Sequence, residues 1–442
     1  MNASLSNPQS RGSTKRAPPK LPLSAFMHAN STAASSAVRR EPLELVDTHI
    51  HLWTQRQYDN GHVTWPLRSD HTQLRRTHTL QDYADLTDKA IVNQHLRHSS
   101  TKFRGAVFVQ AEAEHGDKDE DGSKGGWRSS LDEIDSVCQA ALHSEARILA
   151  IAPWAPVHQG PQALEAYFQQ AYVLSSFKQW SSKGGAGLTS CRFLLQDCPL
   201  GFMLEQKFIN GLLWLGQHDV AFEMTLDVVQ FPGVLDDAVE AISRLRQLEQ
   251  QQQPQKQDTG SEHQIKQVVK HTRIVLDHFA KPNLVAEPTV PAPEHQTSYM
   301  RSLFELALLP HVSLKLSGLL DSADPQLVKD SFKEFRLKAT SARSSHFATL
   351  RRRVLTYLEP ALEAFGDSRI MVGSDWPMFR AKICELESDS SATGERDLDE
   401  EADAWAFEIE LYRSALVELG CEGDALDRIF AFNAKEFYRI PT

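Results

Sequence analysis

The sequence predicts an α/β fold, a single (β/α)8 TIM-type barrel with loop insertions and a disordered N-terminal tail. Eight short apolar runs of strand character recur along the chain, and most intervals between them carry helix-like patterns, as at 131–142 and 357–365. Continuous apolar strands that alternate with helices predict a parallel sheet covered on both faces, and eight such units predict a closed barrel. An open doubly wound sheet is the alternative, although no glycine-rich phosphate-binding loop follows the first strand.

The predicted strands follow one another in order, and each ends in polar residues. They cover residues 43–51, 104–112, 147–154, 187–195, 220–227, 272–279, 311–318 and 369–376. Catalytic groups of such barrels lie at the carboxyl ends of the strands. We therefore expect the functional site where these polar residues meet.

The residues that do not belong to these β/α units form an N-terminal tail and three insertions. Residues 1–40 contain eight serines, several prolines and no Asp or Glu, which predicts a disordered basic tail before a barrel domain at 41–442. A mitochondrial targeting peptide is the alternative for this tail. Polar or acidic insertions, predicted to be solvated loops, lie near 115–126, 247–264 and 385–403.

Composition limits the partners and the compartment. The chain of 442 residues has 47 Lys and Arg against 58 Asp and Glu, a net charge of −11, which argues against nucleic acid or an anionic membrane as partner. No apolar run approaches the ~18 residues of a transmembrane helix. Five cysteines without CxxC spacing favour a reduced, intracellular and cytoplasmic location, with the mitochondrion as alternative. The sequence does not indicate an oligomeric state.

Candidate metal ligands follow the first, second and eighth strands. His49 and His51 are two residues apart, so on a strand they point to the same side and could hold one zinc or similar divalent ion. A pair of surface histidines is the alternative. Glu112 is a further candidate ligand or an acidic loop residue. Asp375 could ligate a metal, act as general base, or cap the next helix.

Candidate catalytic and substrate-binding residues complete the set of strand ends. His278 could serve as ligand, as acid or base, or as a core histidine, and Asp375 is the candidate base. The candidate substrate contacts are polar or aromatic, and the aromatic ones could stack on a sugar-like ring or pack in the wall. They are Trp53, Gln110, Trp154, Arg192, Lys281, Lys315 and Trp376. Arg192 and Lys315 could bind the substrate or could equally form structural ion pairs.

Four motifs in order, DTHIHLW, LDHFAKP, KLSG and GSDWP, resemble the amidohydrolase superfamily. Within it, the chain is most similar to the sugar lactonases, such as fuconolactonase-like and rhamnonolactonase-like enzymes. The resemblance implies a (β/α)8 barrel and hydrolysis of a cyclic ester in sugar-acid catabolism. It also implies that His49 and His51 form the metal motif, that Asp375 activates the attacking water, and that His278 contacts the carbonyl or leaving oxygen.

One departure from the family affects the cofactor. Many superfamily members carry a histidine ligand on the fifth strand, whereas this strand has none, and Glu223 or Asp227 could substitute. A metal-free mechanism is therefore the alternative to a zinc site. The predicted function is a hydrolase that opens a sugar-acid lactone. The alternatives are a decarboxylase, another ester or amide hydrolase, or a non-catalytic barrel that binds a sugar acid or a protein.

Overall fold

The computed structural model describes most of the predicted barrel domain. The described residues are 42–64, 74–92, 101–113, 126–144, 148–252, 270–285, 287, 289, 292–337, 345–378 and 397–441. The predicted tail, 1–40, lies outside the described residues, as do large parts of the three predicted insertions. Those assignments stay predictions.

Eight strands form the sheet within the described residues, and each overlaps a strand predicted from the sequence. They are β1 (Leu43–Ile50), β2 (Thr101–Val109), β3 (Ile148–Ala152), β4 (Ser190–Leu194), β5 (Ala221–Thr225), β6 (Ile274–Asp277), β7 (Val312–Leu316) and β8 (Ile370–Val372). All neighbouring pairs are parallel, in the order β1-β2-β3 and β4-β5-β6-β7-β8.

Two parallel bridges join these two sheets into one closed barrel. Trp154 pairs with Arg192 between the ends of β3 and β4, and Ile50 pairs with Trp376 between the ends of β1 and β8. At the second seam the Asp375 amide donates to the His49 carbonyl at 2.8 Å. The closure therefore brings β1 and β8, and the polar motifs at their ends, side by side. The predicted (β/α)8 fold is confirmed.

Helices follow the strands and cover the outside of the barrel. They are α1 (Gln55–Asp59), α2 (Leu80–Val92), α3 (Arg128–His143), α4 (Pro161–Val173), α5 (Ser175–Ser182), α6 (Gln206–Gln217), α7 (Val234–Gln251), α8 (Glu294–Leu308), α9 (Pro325–Arg336), α10 (His346–Phe365), α11 (Leu398–Glu418), α12 (Asp424–Asp427) and α13 (Asn433–Phe437). A π-helical turn, Arg428–Phe432, connects α12 to α13. None of the described helices is both long and apolar enough to cross a membrane.

Local sequence signals explain where several of these helices begin. In α9 the side chain of Asp324 accepts from the Leu327 amide, and Pro325 occupies the first turn, where its missing N–H costs nothing. The side chain of Ser345 caps α10 in the same way, through the Ala348 amide. These caps fix the helices that follow β7, the strand that carries Lys315.

A layer of small apolar side chains fills the lower part of the barrel. Val46, Val107, Ala150, Val275 and Met371 belong to this buried cluster, which the C-terminal segment of the chain also joins. Because this layer is apolar and tightly packed, the polar groups of the strands can gather only above it. The functional site therefore lies at the opposite, carboxyl end of the strands.

Candidate active site

Three histidines surround one carboxylate oxygen at the barrel mouth. The Nε2 atoms of His51, His49 and His278 lie 3.2, 3.6 and 3.8 Å from Asp375 Oδ1. We call these four residues the outer cluster. Strands β1, β6 and β8 supply them, and the closure between β1 and β8 is what brings Asp375 to the two first-strand histidines.

The outer cluster has the donor set and spacing of a zinc site. The His51 Nδ1 atom lies 2.8 Å from the Val109 carbonyl, which can only accept, so Nδ1 carries a proton. In a neutral ring Nε2 is then an acceptor that faces the Asp375 carboxylate, and two acceptors 3.2 Å apart need a shared proton or metal ion. Ligand atoms of a tetrahedral zinc site are separated by about 3.3 Å, given bonds of about 2.0 Å. The residues present therefore fit a divalent metal.

A second group of charges lies deeper in the barrel and contains a lysine. The Lys315 ammonium lies 2.5 Å from Glu223 Oε2, 3.3 Å from Asp277 Oδ1 and 3.2 Å from His49 Nδ1. We call Lys315, Glu223 and Asp277 the inner cluster. All three side chains are fully buried. His49 lies between the clusters, with Nδ1 toward the inner one and Nε2 toward the outer one.

Burial shapes the proton affinities of these groups. Removal from water raises the pKa of Asp375 to about 6, although His278 beside it acts in the opposite direction. Burial also lowers the pKa values of His49, His51 and His278, so the imidazoles are neutral at pH 7. Asp375 is then largely ionised at neutral pH and is a stronger base than an ordinary aspartate.

The inner carboxylates respond differently to the same burial. Burial raises the pKa of Glu223 to about 7, against the lowering effect of Lys315. Burial would also raise the pKa of Asp277, but Lys315 and the neighbouring cations outweigh it and lower the value. Asp277 is thus the firmly charged partner of Lys315 at neutral pH.

The backbone holds site residues in a conformation that side chains other than glycine rarely adopt. Asp375, Glu112 and His278 have φ values of 56°, 56° and 53°, and His278 begins a left-handed turn that continues to Lys281. Such residues cost about 1–2 kcal/mol each, and they persist where the surrounding structure compensates. Gly318 allows the backbone to approach the side chains of His278 and Asp375 closely. A Cβ at this position would lie only 2.6 Å from His278 Nδ1 and 2.9 Å from Asp375 Oδ2.

Asp47 is a site residue that the sequence reasoning missed. Its Oδ1 accepts from the amides of Ser374, at 2.8 Å, and His49, at 3.2 Å. Its Oδ2 accepts from the Tyr83 hydroxyl, at 2.7 Å, and from the Trp405 indole, at 3.1 Å. One buried carboxylate therefore fastens the histidine motif to the segment that carries Asp375. The sequence signal that could have identified Asp47 as a site residue is its position at the start of the DTHIHLW motif.

A cavity of about 390 Å³ opens above the outer cluster. Of the predicted site residues, His51, Arg192, His278, Lys281 and Asp375 line it. Further lining residues that the sequence did not single out are Leu194, Gln196, Asp197, Thr225, Asp321 and Met378. These belong to β4, β5 and the loops that follow β4, β7 and β8.

Two of the predicted substrate contacts are basic groups, and the structure gives them different positions. Lys281 reaches the cavity, where its ammonium donates to Gln196 Oε1 at 2.6 Å. Lys315 is fully buried in the inner cluster and is not on the cavity wall. Arg192 lines the cavity but is directed toward the protein, since it donates to the Gln110 carbonyl at 2.5 Å.

The three predicted tryptophans pack inside the wall. Trp53, Trp154 and Trp376 are each 1% exposed, so the structure does not place a ring face on the cavity for stacking. Trp53 and Trp376 both pack edge-on against His78, with ring centroids 4.6 and 5.3 Å away. Trp154 packs edge-on against Tyr167. All three side chains are buried, and burial of their large area stabilises the fold.

The remaining candidates lie beside the clusters. Glu112 accepts from Gln110 Nε2 at 2.8 Å and is not in either group of potential metal ligands found among the described residues. Gln110 is fully buried. On the fifth strand Glu223 belongs to the inner cluster, whereas Asp227 accepts from the amides of the turn after β5.

Known proteins similar to this chain include amidohydrolases. Residues 259–440 match the amidohydrolase family model. An L-fucono-1,5-lactonase of Burkholderia multivorans is 28% identical over 258 residues, which make up 57% of this chain and 64% of the lactonase. The match thus spans less than two thirds of that relative's length. The resemblance to amidohydrolases that the motifs indicated is confirmed.

Solved structures support the fold. Two crystal structures of an amidohydrolase from Burkholderia multivorans, one with bound HEPES and one with bound zinc, have TM-scores of 0.54. They are 22% and 23% identical to this chain, and the alignments cover 90% of this chain and 99% of theirs. The likeness at this identity concerns the barrel architecture.

Proposed function

From the similarity to amidohydrolases, we propose that this chain is a hydrolase that opens a sugar-acid lactone by attack of water on the ester carbonyl. One observation carries the proposal. Asp375 faces the cavity, three imidazole nitrogens surround its Oδ1, and burial raises its pKa to about 6. That combination is a general base beside a polarising site, which ester hydrolysis needs. The site draws on both β1 and β8, so we assign it to one barrel domain, 41–442.

The outer cluster would hold the divalent metal, with zinc as the ion that best suits its nitrogen and carboxylate donors. His49, His51, His278 and Asp375 would be the ligands. For His49 to ligate through Nε2, its Nδ1 would carry the proton and point it to Asp277 Oδ1, 3.6 Å away. The Lys315 ammonium, which lies 3.2 Å from Nδ1, would then have to turn away from it. When bound, such an ion polarises a carbonyl oxygen and lowers the pKa of water. In a metal-free site, His278 would donate to the carbonyl oxygen instead.

Asp375 performs the proton transfers in this mechanism. It takes a proton from the attacking water as the water oxygen bonds to the carbonyl carbon and the carbonyl electron pair moves onto its oxygen. When the tetrahedral intermediate collapses, the ring C–O bond breaks and the ring oxygen leaves with that bond's electron pair. Protonated Asp375 returns the proton to this oxygen, either directly or through His278, which takes the Asp375 proton as it gives its own to the ring oxygen. The product is the open hydroxy acid. A raised pKa suits both steps, since the same group must accept and release the proton near neutral pH.

The charges around the cavity favour a neutral substrate. Arg192 is directed to protein acceptors, which leaves Lys281 as the cation at the mouth among the described lining residues. Asp197, Asp321 and Asp375 face the same space. A substrate with several carboxylates would meet this acidic wall, whereas the hydroxyls of a sugar lactone can donate to it. The cavity of about 390 Å³ also accommodates a single sugar ring.

The experiment is a substrate panel with two readouts. Purified full-length protein would be incubated with neutral aldono-1,4- and aldono-1,5-lactones, with an anionic pyrone dicarboxylate, and with a dihydroxybenzoate. Acid release and carbon dioxide release would be recorded separately. We expect acid release from neutral lactones. Turnover of the pyrone dicarboxylate alone would contradict the proposed class of neutral substrates. Release of carbon dioxide would favour a decarboxylase. Binding without turnover would favour the non-catalytic barrel.

A further inference from the structure

The Lys315 ammonium is surrounded by the kinds of atoms that usually bind a metal ion. Its ammonium lies within 3.3 Å of Glu223 Oε2, Asp277 Oδ1 and His49 Nδ1. Those three residues form a group whose ligand-type atoms lie within 4.8 Å of one another. Two carboxylate oxygens and an imidazole nitrogen are a donor set that divalent metals accept. The ammonium is in contact with all three.

In the inner cluster, the carboxylate oxygens that face away from Lys315 are hydrogen-bonded as they commonly are in metal-binding carboxylates. Thr225 donates to Asp277 Oδ2 at 2.6 Å, and Tyr438 donates to Glu223 Oε1 at 2.8 Å. Each carboxylate therefore has one oxygen held by a hydroxyl, while the other is turned toward Lys315. Hydroxyls that fix ligand carboxylates in this way are typical of the residues behind a metal's ligands.

We propose that the Lys315 ammonium takes the place of a second metal ion, so that the barrel holds at most one ion. An ammonium has donors and no acceptor, so it donates to the two carboxylates and to the His49 Nδ1 lone pair, which are the atoms that would otherwise bind a cation. Its charge also offsets the charges of Glu223 and Asp277. His51, His278 and Asp375 remain for one ion in the outer cluster.

The test is a count of bound ions after Lys315 is replaced. Full-length wild type, K315M and the control K435M would be equilibrated with excess Zn²⁺, dialysed, and analysed for zinc per chain by mass spectrometry. K435M removes a lysine that pairs with Glu44 outside the site. We expect K315M to hold one more ion per chain than wild type or K435M, because its inner cluster has lost its cation. An equal count in K315M and wild type, or two ions in wild type, would overturn the proposal.

Two additional variants distinguish ion binding at the inner cluster from ion binding at the outer cluster and from a loss of folding. In the D375N background, where the outer cluster lacks its carboxylate, K315M should still add one ion. The double variant K315M/E223Q should fold and should not gain an ion. If K315M is unstable alone, Zn²⁺ should raise its melting temperature more than that of wild type. Failure of Zn²⁺ to stabilise or fold K315M would overturn the proposal, and none of these readouts depends on hydrolysis.

Discussion

Glu133 on α3 is a buried carboxyl that should make the stability of this barrel depend on pH. Its Oε1 accepts from the Ala111 amide at 2.9 Å, and its Oε2 has no hydrogen-bond partner among the described residues. The side chain is 1% exposed. Burial raises the pKa of Glu133 from 4.5 to about 8, so the folded protein keeps a proton that the unfolded chain releases.

The sign and size of the effect follow from that difference. Between about pH 4.5 and pH 8 the unfolded chain binds fewer protons than the folded one, so stability falls as pH rises. The pKa difference of 8 − 4.5 corresponds to about 5 kcal/mol at high pH, at 1.36 kcal/mol per unit. At pH 5 little of this cost is present, and between pH 5 and pH 8 the loss is on the order of 3 kcal/mol.

The substitution Glu133→Gln removes the titration and keeps an acceptor for Ala111. Urea unfolding at pH 5 and pH 8 would give the free energies of unfolding of wild type and variant. We expect the two proteins to differ little at pH 5 and the variant to be more stable by about 3 kcal/mol at pH 8. Exposed Glu363→Gln on α10 controls for the exchange itself. A difference that is equal at both pH values would refute the reasoning.

Two further substitutions, one of them with a matched control, test a close contact and a hydrogen bond at the site. Gly318→Ala puts a Cβ 2.6 Å from His278 Nδ1, so turnover should fall at least about tenfold. Gly366 is the control, because its φ is also positive but a Cβ added there would contact no other atom. Gly366→Ala should therefore lower the stability of the protein without lowering turnover. Equal turnover in the two variants would contradict the steric explanation. Tyr83→Phe removes the 2.7 Å hydrogen bond to Asp47 and should lower the free energy of unfolding by about 2 kcal/mol. An unchanged urea midpoint would argue against that contribution.

The strand positions were predictable because the sequence carries them locally. Each β/α unit contains an apolar run followed by polar residues, and a parallel sheet buried on both faces requires that pattern. The spacing of His49 and His51 also determines that both histidines point to one side of β1. Asp375 could be assigned to the same site since strand ends of a barrel meet at one face.

The partners of the inner residues could not be predicted from local pattern. Lys315 meets Glu223 from a strand 92 positions away, and the choice between an ion pair and a substrate contact depends on the depth of the side chain in the barrel. The role of Asp47 depends on Tyr83 and Trp405, which approach from two helices distant in sequence. Glu133 is marked by no motif, and only burial gives it a raised pKa.

Tryptophan at the strand ends left two interpretations open, stacking on a substrate ring or packing in the wall. A ring at such a position can turn toward the cavity or toward the surrounding helices, and the sequence does not distinguish these directions. Here Trp53 and Trp376 turn to His78, and Trp154 to Tyr167. Most residues that line the cavity have polar side chains, and we propose Lys281 and Asp321 among them as substrate contacts.

The central claim is that Asp375 is the base that activates water for lactone opening. Its most direct test is the rate of acid release from a neutral aldonolactone by wild type and by Asp375→Asn, measured with a pH indicator at neutral pH. We expect wild type to open the lactone and the variant to remain folded while losing at least about a hundredfold in kcat. A folded variant that retains turnover within about twofold of wild type would contradict the claim.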